Sequence, residues 1–456
     1  MTKLKTFLLR LVNPLAVAGF ALAFIHPVTV EAQFGALGGG SALNRGGDRP
    51  GQRGGMPVEF TFYGAVLGNY SKGLAPVVVD QQGRIQNLSL YGGSVEGGLS
   101  GSRTWSRSVL GVDWRGDYRK YSRSAASNVS GTDQALAIYW SSQPSRRWIY
   151  QLSTSGLTSN RAVGGFIAPS FTRTDLTGLP LNDIFNNRVY ALQGNAAVTY
   201  QRSARTSFSF YGSGYMARRA QRSLFGTNGY GAGASYNYIP APRTTIGILY
   251  NYWHYSFPRA FGASDLHSIA ATYSKRLTRE WSVDAFAGVT RVETLGAAQV
   301  TLDPEVAEIL GVRTGVQAVY RINYAPYLSL SAGYRVSRRT ACTVAFNYTV
   351  APGNGLFLTS RTNTESVGCS TSLPRKASFS FNGGRTSYTS LVQTNFGRFT
   401  SWQGGMGFNY VIRPHVNFTS QIDARTFSIT RGSSRTAYTA SIGLAYTPSE
   451  LPLPRW

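Results

Sequence analysis

The feature that most constrains this chain is a period-two alternation of apolar residues with polar or small ones, which runs through residues 58–446 almost without a break. Within residues 110–118, for example, Asp113 and Arg115 flank Trp114. Successive side chains on a β-strand point to opposite faces, so each such segment has one apolar and one polar face. The pattern predicts an all-β chain.

Alternation alone also fits a soluble sandwich with one wet face. Three further features favour a membrane barrel. Very short connections, such as residues 240–243 and 413–414, alternate with longer polar ones; Tyr and Trp recur near segment ends; and only 14% of residues are charged. These are traits of outer-membrane barrels. We therefore predict one transmembrane antiparallel barrel across residues 57–456, with about eighteen strands (sixteen to twenty), short periplasmic turns and longer extracellular loops.

The N-terminus has the pattern of a secretory signal peptide, with a basic start, an apolar stretch over residues 11–24 and small residues at Val30 and Ala32. A membrane anchor is the alternative, but the apolar stretch is interrupted and shorter than the ~20 residues of a spanning helix. We expect cleavage before Gln33, so that residues 1–32 direct export to the bacterial outer membrane and residues 33–56 form a flexible Gly/Arg-rich leader.

The leader contains Arg-Gly-Gly runs of the kind that bind RNA, but no nucleic acid partner is expected for an exported protein. A TonB-dependent transporter is also disfavoured, because those proteins carry a large N-terminal plug domain and only the short leader precedes Val58.

The two cysteines, Cys342 and Cys369, lie at nearly equal distances on either side of the turn signal at residues 352–355. A hairpin there would bring them level on neighbouring strands, within the separation that a disulfide tolerates. The alternative is two reduced thiols that serve as small apolar residues.

Two connections are long and apolar enough to pack against something: residues 162–188 and residues 296–315. In the second, Asp303 as N-cap, Pro304 in the first turn and Gly311 as terminator predict a short helix. Either these loops fold into the barrel mouth and narrow it, or they cap the rim from outside.

The chain resembles porin-like outer-membrane β-barrel proteins. The strand array, the final strand over residues 439–446 and the aromatic chain end at Trp456 carry the resemblance, together with a Pro-Gly-Asn-Gly turn at residues 352–355 followed by Leu-Thr-Ser-Arg at residues 358–361. The resemblance implies that the final strand is read by the barrel-assembly machinery. Its signal residues are Gly443, Leu444 and a terminal aromatic, either Tyr446 or Trp456 because residues 447–455 separate the two.

Charged residues on the strands are expected to face the lumen, since a charge that faces lipid at midplane costs roughly 2–4 kcal/mol. One reading is a charged constriction that sorts solutes, with the excess of Arg favouring anions. The other is ion pairing that stiffens the wall. The candidate lumen charges are Asp113, Arg115, Asp117, Arg119, Asp284, Arg335, Asp423 and Arg425.

Asp265, His267 and Ser268 stand close together and suggest a hydrolase site. On a strand, however, His267 and Ser268 face opposite ways, so they cannot form the required hydrogen bond directly. No Gly-x-Ser-x-Gly elbow or metal-ligand spacing supports an enzyme.

The sequence therefore predicts a passive, cofactor-free channel for small hydrophilic, anionic solutes, which contacts outer-membrane lipids. The alternative is an occluded barrel that acts at the cell surface as a binding, adhesion or structural protein. The pattern does not indicate a subunit number or a particular solute.

Overall fold

The computed structural model describes most of the residues after Val58. These are residues 59–73, 78–79, 85–86, 89–122, 130–159, 188–220, 224–301, 303, 305, 308–309, 311–337, 339–352, 357–373, 376–391, 398–429, 434–447 and 451–452. The expected signal peptide and leader, residues 1–56, lie outside them. Among the described residues, no helix is long and apolar enough to span a membrane.

Twenty-one strands are present in this part of the chain. They are β1 (Glu59–Lys72), β2 (Val78–Val79), β3 (Ile85–Gln86), β4 (Ser89–Thr104), β5 (Ser108–Tyr121), β6 (Gly131–Ser142), β7 (Trp148–Ser159), β8 (Val189–Gln201), β9 (Thr206–Arg219), β10 (Thr227–Ala241), β11 (Thr244–Ser256), β12 (Gly262–Arg276), β13 (Trp281–Thr301), β14 (Thr314–Arg335), β15 (Thr340–Pro352), β16 (Thr359–Leu373), β17 (Ala377–Ser390), β18 (Arg398–Arg413), β19 (Val416–Ile429), β20 (Ser434–Tyr446) and β21 (Leu451–Pro452).

Eighteen of these strands, β1 and β4–β20, form a closed antiparallel barrel. Each pairs with the next along the chain, and β20 pairs with β1 to close the ring, with Tyr446 opposite Gly64. The predicted fold class is confirmed. Strands β2 and β3 form a separate hairpin in the β1–β4 connection, and β21 pairs with the first residues of β1.

The two ends of the barrel differ in their connections. At the short-turn end, β10 and β11 are joined by residues 242–243, and β18 and β19 by residues 414–415. Arg243 and His415 occupy the left-handed region in these turns, with φ of 69° and 84°. At the opposite, long-loop end, the β7–β8 connection spans residues 160–188 and the β13–β14 connection residues 302–313.

The outer face has an apolar band bounded by aromatic and charged residues. At the short-turn end, Trp281 stacks on Tyr334 across the β13–β14 pair, with ring centroids 4.3 Å apart. The outward residues of β13 stay apolar up to Val289, and the first outward charges are Arg291 and Glu293. From Trp281 to Val289, the strand covers a height of ~20 Å along the barrel axis, for a rise of ~3.3 Å per residue and a tilt of ~40°. That height is close to the apolar thickness of a membrane barrel, ~25 Å.

The cysteines lie directly opposite each other on β15 and β16. Cys342 pairs in register with Cys369, their Cα atoms are 4.1 Å apart, and the structure joins them in a disulfide. The hairpin geometry that the sequence predicted thus places the two sulfur atoms within bonding reach.

Candidate solute pathway

Every second residue of β5 points into the lumen, and the outward residues between them are aromatic or apolar. Trp114 and Tyr118 are 41% and 52% exposed on the outer face. The inward residues are nearly inaccessible despite their charge, and they are Asp113, Arg115, Asp117 and Arg119. The alternation of the sequence places these four side chains on one inner stripe.

These charges are paired with one another rather than free. Arg115 donates from Nε and Nη2 to the two carboxylate oxygens of Asp113, both at 3.0 Å. Arg119 Nε lies 3.1 Å from Asp117 Oδ2, and Arg119 Nη2 also binds Asp133 on β6. Arg115 thus binds one carboxylate bidentately and Arg119 bridges two carboxylates, which is the ion pairing of the wall-stiffening alternative.

A further acid borders this charged stripe. Glu96 on β4 lies opposite Asp117 and is also buried. Among the described residues, the buried inward charges of β4–β6 are the carboxylates of Glu96, Asp113, Asp117 and Asp133 and the guanidinium groups of Arg115 and Arg119.

An aromatic ring covers this charged stripe on its β1 side. Tyr63 lies opposite Gly98 of β4, and a Cβ atom on Gly98 would overlap the Tyr63 ring. Gly98 is itself opposite Arg115. The absence of a side chain at residue 98 thus lets the ring lie flat against the wall beside the ion pairs.

The remaining candidate charges lie at separate places on the barrel. On β19, Arg425 is buried and donates from Nε to Ser401 Oγ at 2.9 Å, while Asp423 accepts a 2.7 Å bond from Gln421. Asp284 is inward on β13, with a buried carboxylate oxygen that has no hydrogen-bond partner. Arg335 is exposed at the short-turn end of β14. The structure therefore does not gather all eight charges into one constriction.

The sequence analysis missed an apolar cluster inside the barrel near the long-loop end. It joins residues of β9 and β11–β15 to Phe257 and Leu358 from two connections. The strand residues are Tyr215, Tyr255, Leu266, Val292, Ala325 and Val350. A second cluster contains Phe357, Tyr388 and Phe399. Apolar side chains therefore occupy part of the lumen.

This filling arises because the β15–β16 hairpin turns inward. β14 pairs with β15 only over Leu328–Arg335, whereas β15 and β16 remain paired up to Pro352 and Thr359. Thr359 Oγ1 hydrogen-bonds Ser264 Oγ of β12 at 2.5 Å, and Leu358 lies against Gly262. These contacts place the end of the hairpin against the inner face of β12, which is four strands away in the sheet.

The predictions for the two long connections can be compared with the structure to different extents. Residues 162–187 lie outside the described residues. In the other, the main-chain N–H of Glu305 donates to Asp303 Oδ1 at 3.2 Å, Glu308 and Ile309 are helical, and Gly311 has φ of 67°, as the capping pattern predicted. Ile309 is 83% exposed, so at this residue the segment does not pack into the mouth.

His254 and His267 lie on the outer face and contact neighbouring tyrosine and aspartate residues. His267 Nδ1 is 2.9 Å from the Tyr250 hydroxyl, and His254 Nδ1 is 2.9 Å from Asp265 Oδ1. Ser268 points inward and hydrogen-bonds Thr290. His267 and Ser268 therefore face opposite sides of the wall. The described residues also contain no group of three side chains that could hold a metal ion.

No protein-family model matches the chain, and no curated protein matches it in sequence. Solved structures do match. The outer membrane protein OpdK of Pseudomonas aeruginosa has a TM-score of 0.43 and 10% identity, with 86% of this chain and 98% of that one covered. A closed barrel with an apolar outer band is built to cross a membrane. This chain is an outer-membrane-type β-barrel.

Two other matches have similar scores. OpdQ of P. aeruginosa has a TM-score of 0.42 at 11% identity, with 88% of this chain and 98% of that one covered. The FrpB iron transporter of Neisseria meningitidis has a TM-score of 0.42 at 10% identity, with 82% of this chain covered. This chain spans 64% of the FrpB chain. At such scores the likeness concerns barrel shape and carries no argument about solutes.

Proposed function

We propose that this barrel is a passive channel for small hydrophilic solutes in the bacterial outer membrane. The observation that carries the proposal is the inner face of the closed wall, where the inward residues of β4–β6 and of β18–β19 are charged or polar and the outward ones are apolar. A barrel of ~16–18 strands is wide enough to enclose an aqueous passage. No step in such diffusion requires a cofactor.

In this proposal, the end of the β15–β16 hairpin that turns into the lumen limits the size of the solutes that can pass. Phe357 and Leu358 occupy the lumen at the long-loop end, so solutes pass between this apolar filling and the partly exposed polar residues on the inner face of β19. Polar groups on one side of a narrowed passage favour hydrophilic solutes over apolar ones.

Single-channel recording in a planar bilayer, with a salt gradient across it, tests the proposal. We expect steady conductance from the refolded protein, and the reversal potential gives its ion preference. Because Asp133→Asn removes a negative charge from the inner wall, it is expected to move the reversal potential toward anions, whereas Asp303→Asn outside the barrel is the matched control. A folded barrel that passes no current would overturn the proposal.

An occluded surface barrel is the second candidate, and one observation favours it. Phe357 and Leu358 are only 2% and 3% exposed although they lie in the lumen of a barrel. If the wild-type protein is silent and a Leu358→Ser, Phe357→Ser variant conducts, the lumen is closed by this hairpin and the surface function is the better account.

We further infer that β20 carries the signal read by the barrel-assembly machinery, with Tyr446 as its terminal aromatic. Tyr446 is the last residue of β20, and Leu444 faces outward two residues earlier. Gly443 approaches the backbone of Val66 and Leu67 so closely that a Cβ atom would collide with it. Trp456 lies outside the described residues. Loss of outer-membrane insertion in Tyr446→Ala, but not in Trp456→Ala, is the expected result.

A further inference from the structure

We propose that three inward aromatic residues, Tyr211, Phe286 and Tyr327, bind a neutral sugar in the lumen. These three residues are here called the ring patch. The chemical class of the ligand is an uncharged mono- or short oligosaccharide. The inference deepens the proposed channel function, on which it rests for the statement that the sugar is a passing solute.

Two of the rings lie side by side because their hydroxyl groups reach the same strand. Tyr211 lies opposite Gly233 of β10, where a Cβ atom would overlap the Tyr211 ring, so the ring lies over the glycine. The Tyr211 hydroxyl donates to the main-chain oxygen of Tyr250 on β11 at 3.4 Å. Tyr327 of β14 shares a side-chain hydrogen bond with Asn251, the next residue of β11. The two hydroxyl groups thus meet β11 at adjacent residues.

The third ring continues this surface on β13, and all three rings border the lumen. The ring centroid of Phe286 is 4.9 Å from that of Tyr327, with the two planes tilted by 46°. All three side chains are partly exposed. They face inward by alternation, because their chain neighbours Phe210 and Leu328 are exposed on the outer face. The exposed surface of the rings is therefore open to the lumen.

The ring patch lies on the short-turn side of the apolar cluster. Tyr211 precedes Tyr215 on β9, and Tyr327 follows Ala325 on β14, in each case toward the short-turn end. Tyr215 and Ala325 belong to the apolar cluster and are only 6% and 1% exposed. The inward end of the β15–β16 hairpin thus covers the cluster and leaves the ring patch accessible.

The wall around the ring patch is uncharged. Three consecutive rows of paired inward residues cross β9–β14 and contain the three rings, and the structure describes every member of these rows. The other members are serine, threonine, asparagine, glycine, alanine and leucine, and none is charged. The rows run from Ser207 to Ser329, from Ser209 to Tyr327 and from Tyr211 to Ala325.

A neutral sugar matches both properties of this wall. Its ring presents C–H groups that bury apolar area against an aromatic face, while its hydroxyl groups exchange hydrogen bonds with serine, threonine and tyrosine hydroxyls. A charged solute would lose hydration where no opposite charge compensates it. A purely apolar solute would leave polar groups of the wall without partners. The wall therefore favours uncharged solutes that carry hydroxyl groups.

Saturation-transfer difference NMR tests the site without any need for conduction. The probes are glucose and sodium glucuronate, which share a pyranose ring and differ by a carboxylate. They are added at equal ionic strength to the refolded full chain in an amine-oxide detergent without a sugar headgroup. We expect a saturable signal from glucose and a much weaker one from glucuronate. In Tyr211→Ala and in Phe286→Leu, the dissociation constant for glucose should rise about three- to tenfold, since each variant removes one aromatic face.

Tyr63→Ala is the matched control, because Tyr63 also covers a glycine, Gly98, but lies beside the ion pairs of β5. Each variant is first shown to be folded by its gel mobility. Tyr63→Ala should bind glucose like the wild type. Equal affinity for glucose in all four proteins, a wild type without a glucose signal, or glucuronate bound as tightly as glucose overturns the site.

Bilayer recording separates this inference from the channel proposal. A conducting barrel that shows no glucose binding by NMR overturns the sugar site and leaves the channel standing. A silent barrel that binds glucose through Tyr211 overturns the channel and supports the sugar site.

Discussion

Replacement of Arg119 by Met tests the ion-pair network of the lumen wall. The Arg119 side chain is 7% exposed and contacts Asp117 and Asp133, whose side chains are fully buried. The substitution preserves much of the side-chain volume and leaves both carboxylates without this guanidinium. Removal of one partner from a buried ion pair typically lowers the free energy of unfolding by about 3–5 kcal/mol, because the remaining charge is uncompensated. We expect a loss in that range.

Urea-induced unfolding in phospholipid vesicles, followed by tryptophan fluorescence, measures this loss. Arg205→Met in the exposed β8–β9 turn is the control and should lie within about 0.5 kcal/mol of the wild type. Adding Asp133→Asn to Arg119→Met removes one uncompensated charge and should restore part of the stability, which a double-mutant cycle quantifies. If Arg119→Met is as stable as the control, the network does not stabilise the fold and the reasoning is refuted.

Three further predictions follow from the inner wall and the disulfide. Gly98→Ala should lower the free energy of unfolding by about 1–3 kcal/mol because its methyl group overlaps the Tyr63 ring, and Tyr63→Ala in the same chain should recover much of the loss in urea titrations. Leu358→Ser should raise single-channel conductance because it removes apolar filling from the lumen, and an unchanged conductance would contradict the role given to the β15–β16 hairpin. The Cys342→Ser, Cys369→Ser double variant should lose about 2–4 kcal/mol relative to the oxidised wild type, whereas the two proteins should converge under reducing conditions.

The barrel was predictable because its signal is local. A strand reveals its two faces through alternation alone, so the inward position of Asp113 and the outward position of Trp114 followed from the sequence before any strand pairing was known. The strand number followed from the same signal, since each turn interrupts the alternation. The opposite faces of His267 and Ser268 were predicted for the same reason.

Contacts between side chains of different strands could not be predicted from the sequence. Arg119 binds Asp133 because β5 and β6 pair in one register, and the alternation does not specify a register. The acids Glu96 and Asp133 likewise come to lie beside the β5 arginines through the pairing of β4 and β6 with β5.

The inward turn of the β15–β16 hairpin was missed for a related reason. It depends on where the pairing of β14 with β15 ends toward the long-loop end. That point is Leu328, and nothing in the alternation of either strand marks it. The apolar pair Phe357 and Leu358, next to a turn at the long-loop end, was the available signal. The expectation instead concerned residues 162–188, of which 162–187 lie outside the described residues, and residues 296–315, where Ile309 is exposed.

The central claim is that water fills the lumen beside the polar wall, and cysteine labelling tests it most directly. Gln421 and Ile422 are adjacent on β19 at mid-height, the first inward beside Asp423 and the second outward and 58% exposed. In a Cys342→Ser, Cys369→Ser background, single Gln421→Cys and Ile422→Cys variants are reconstituted in liposomes and treated with a charged, water-soluble maleimide. We predict rapid labelling at residue 421 and protection by lipid at residue 422. Protection of both residues in a folded barrel would contradict a water-filled passage, and labelling of residue 422 alone would reverse the assignment of the two faces.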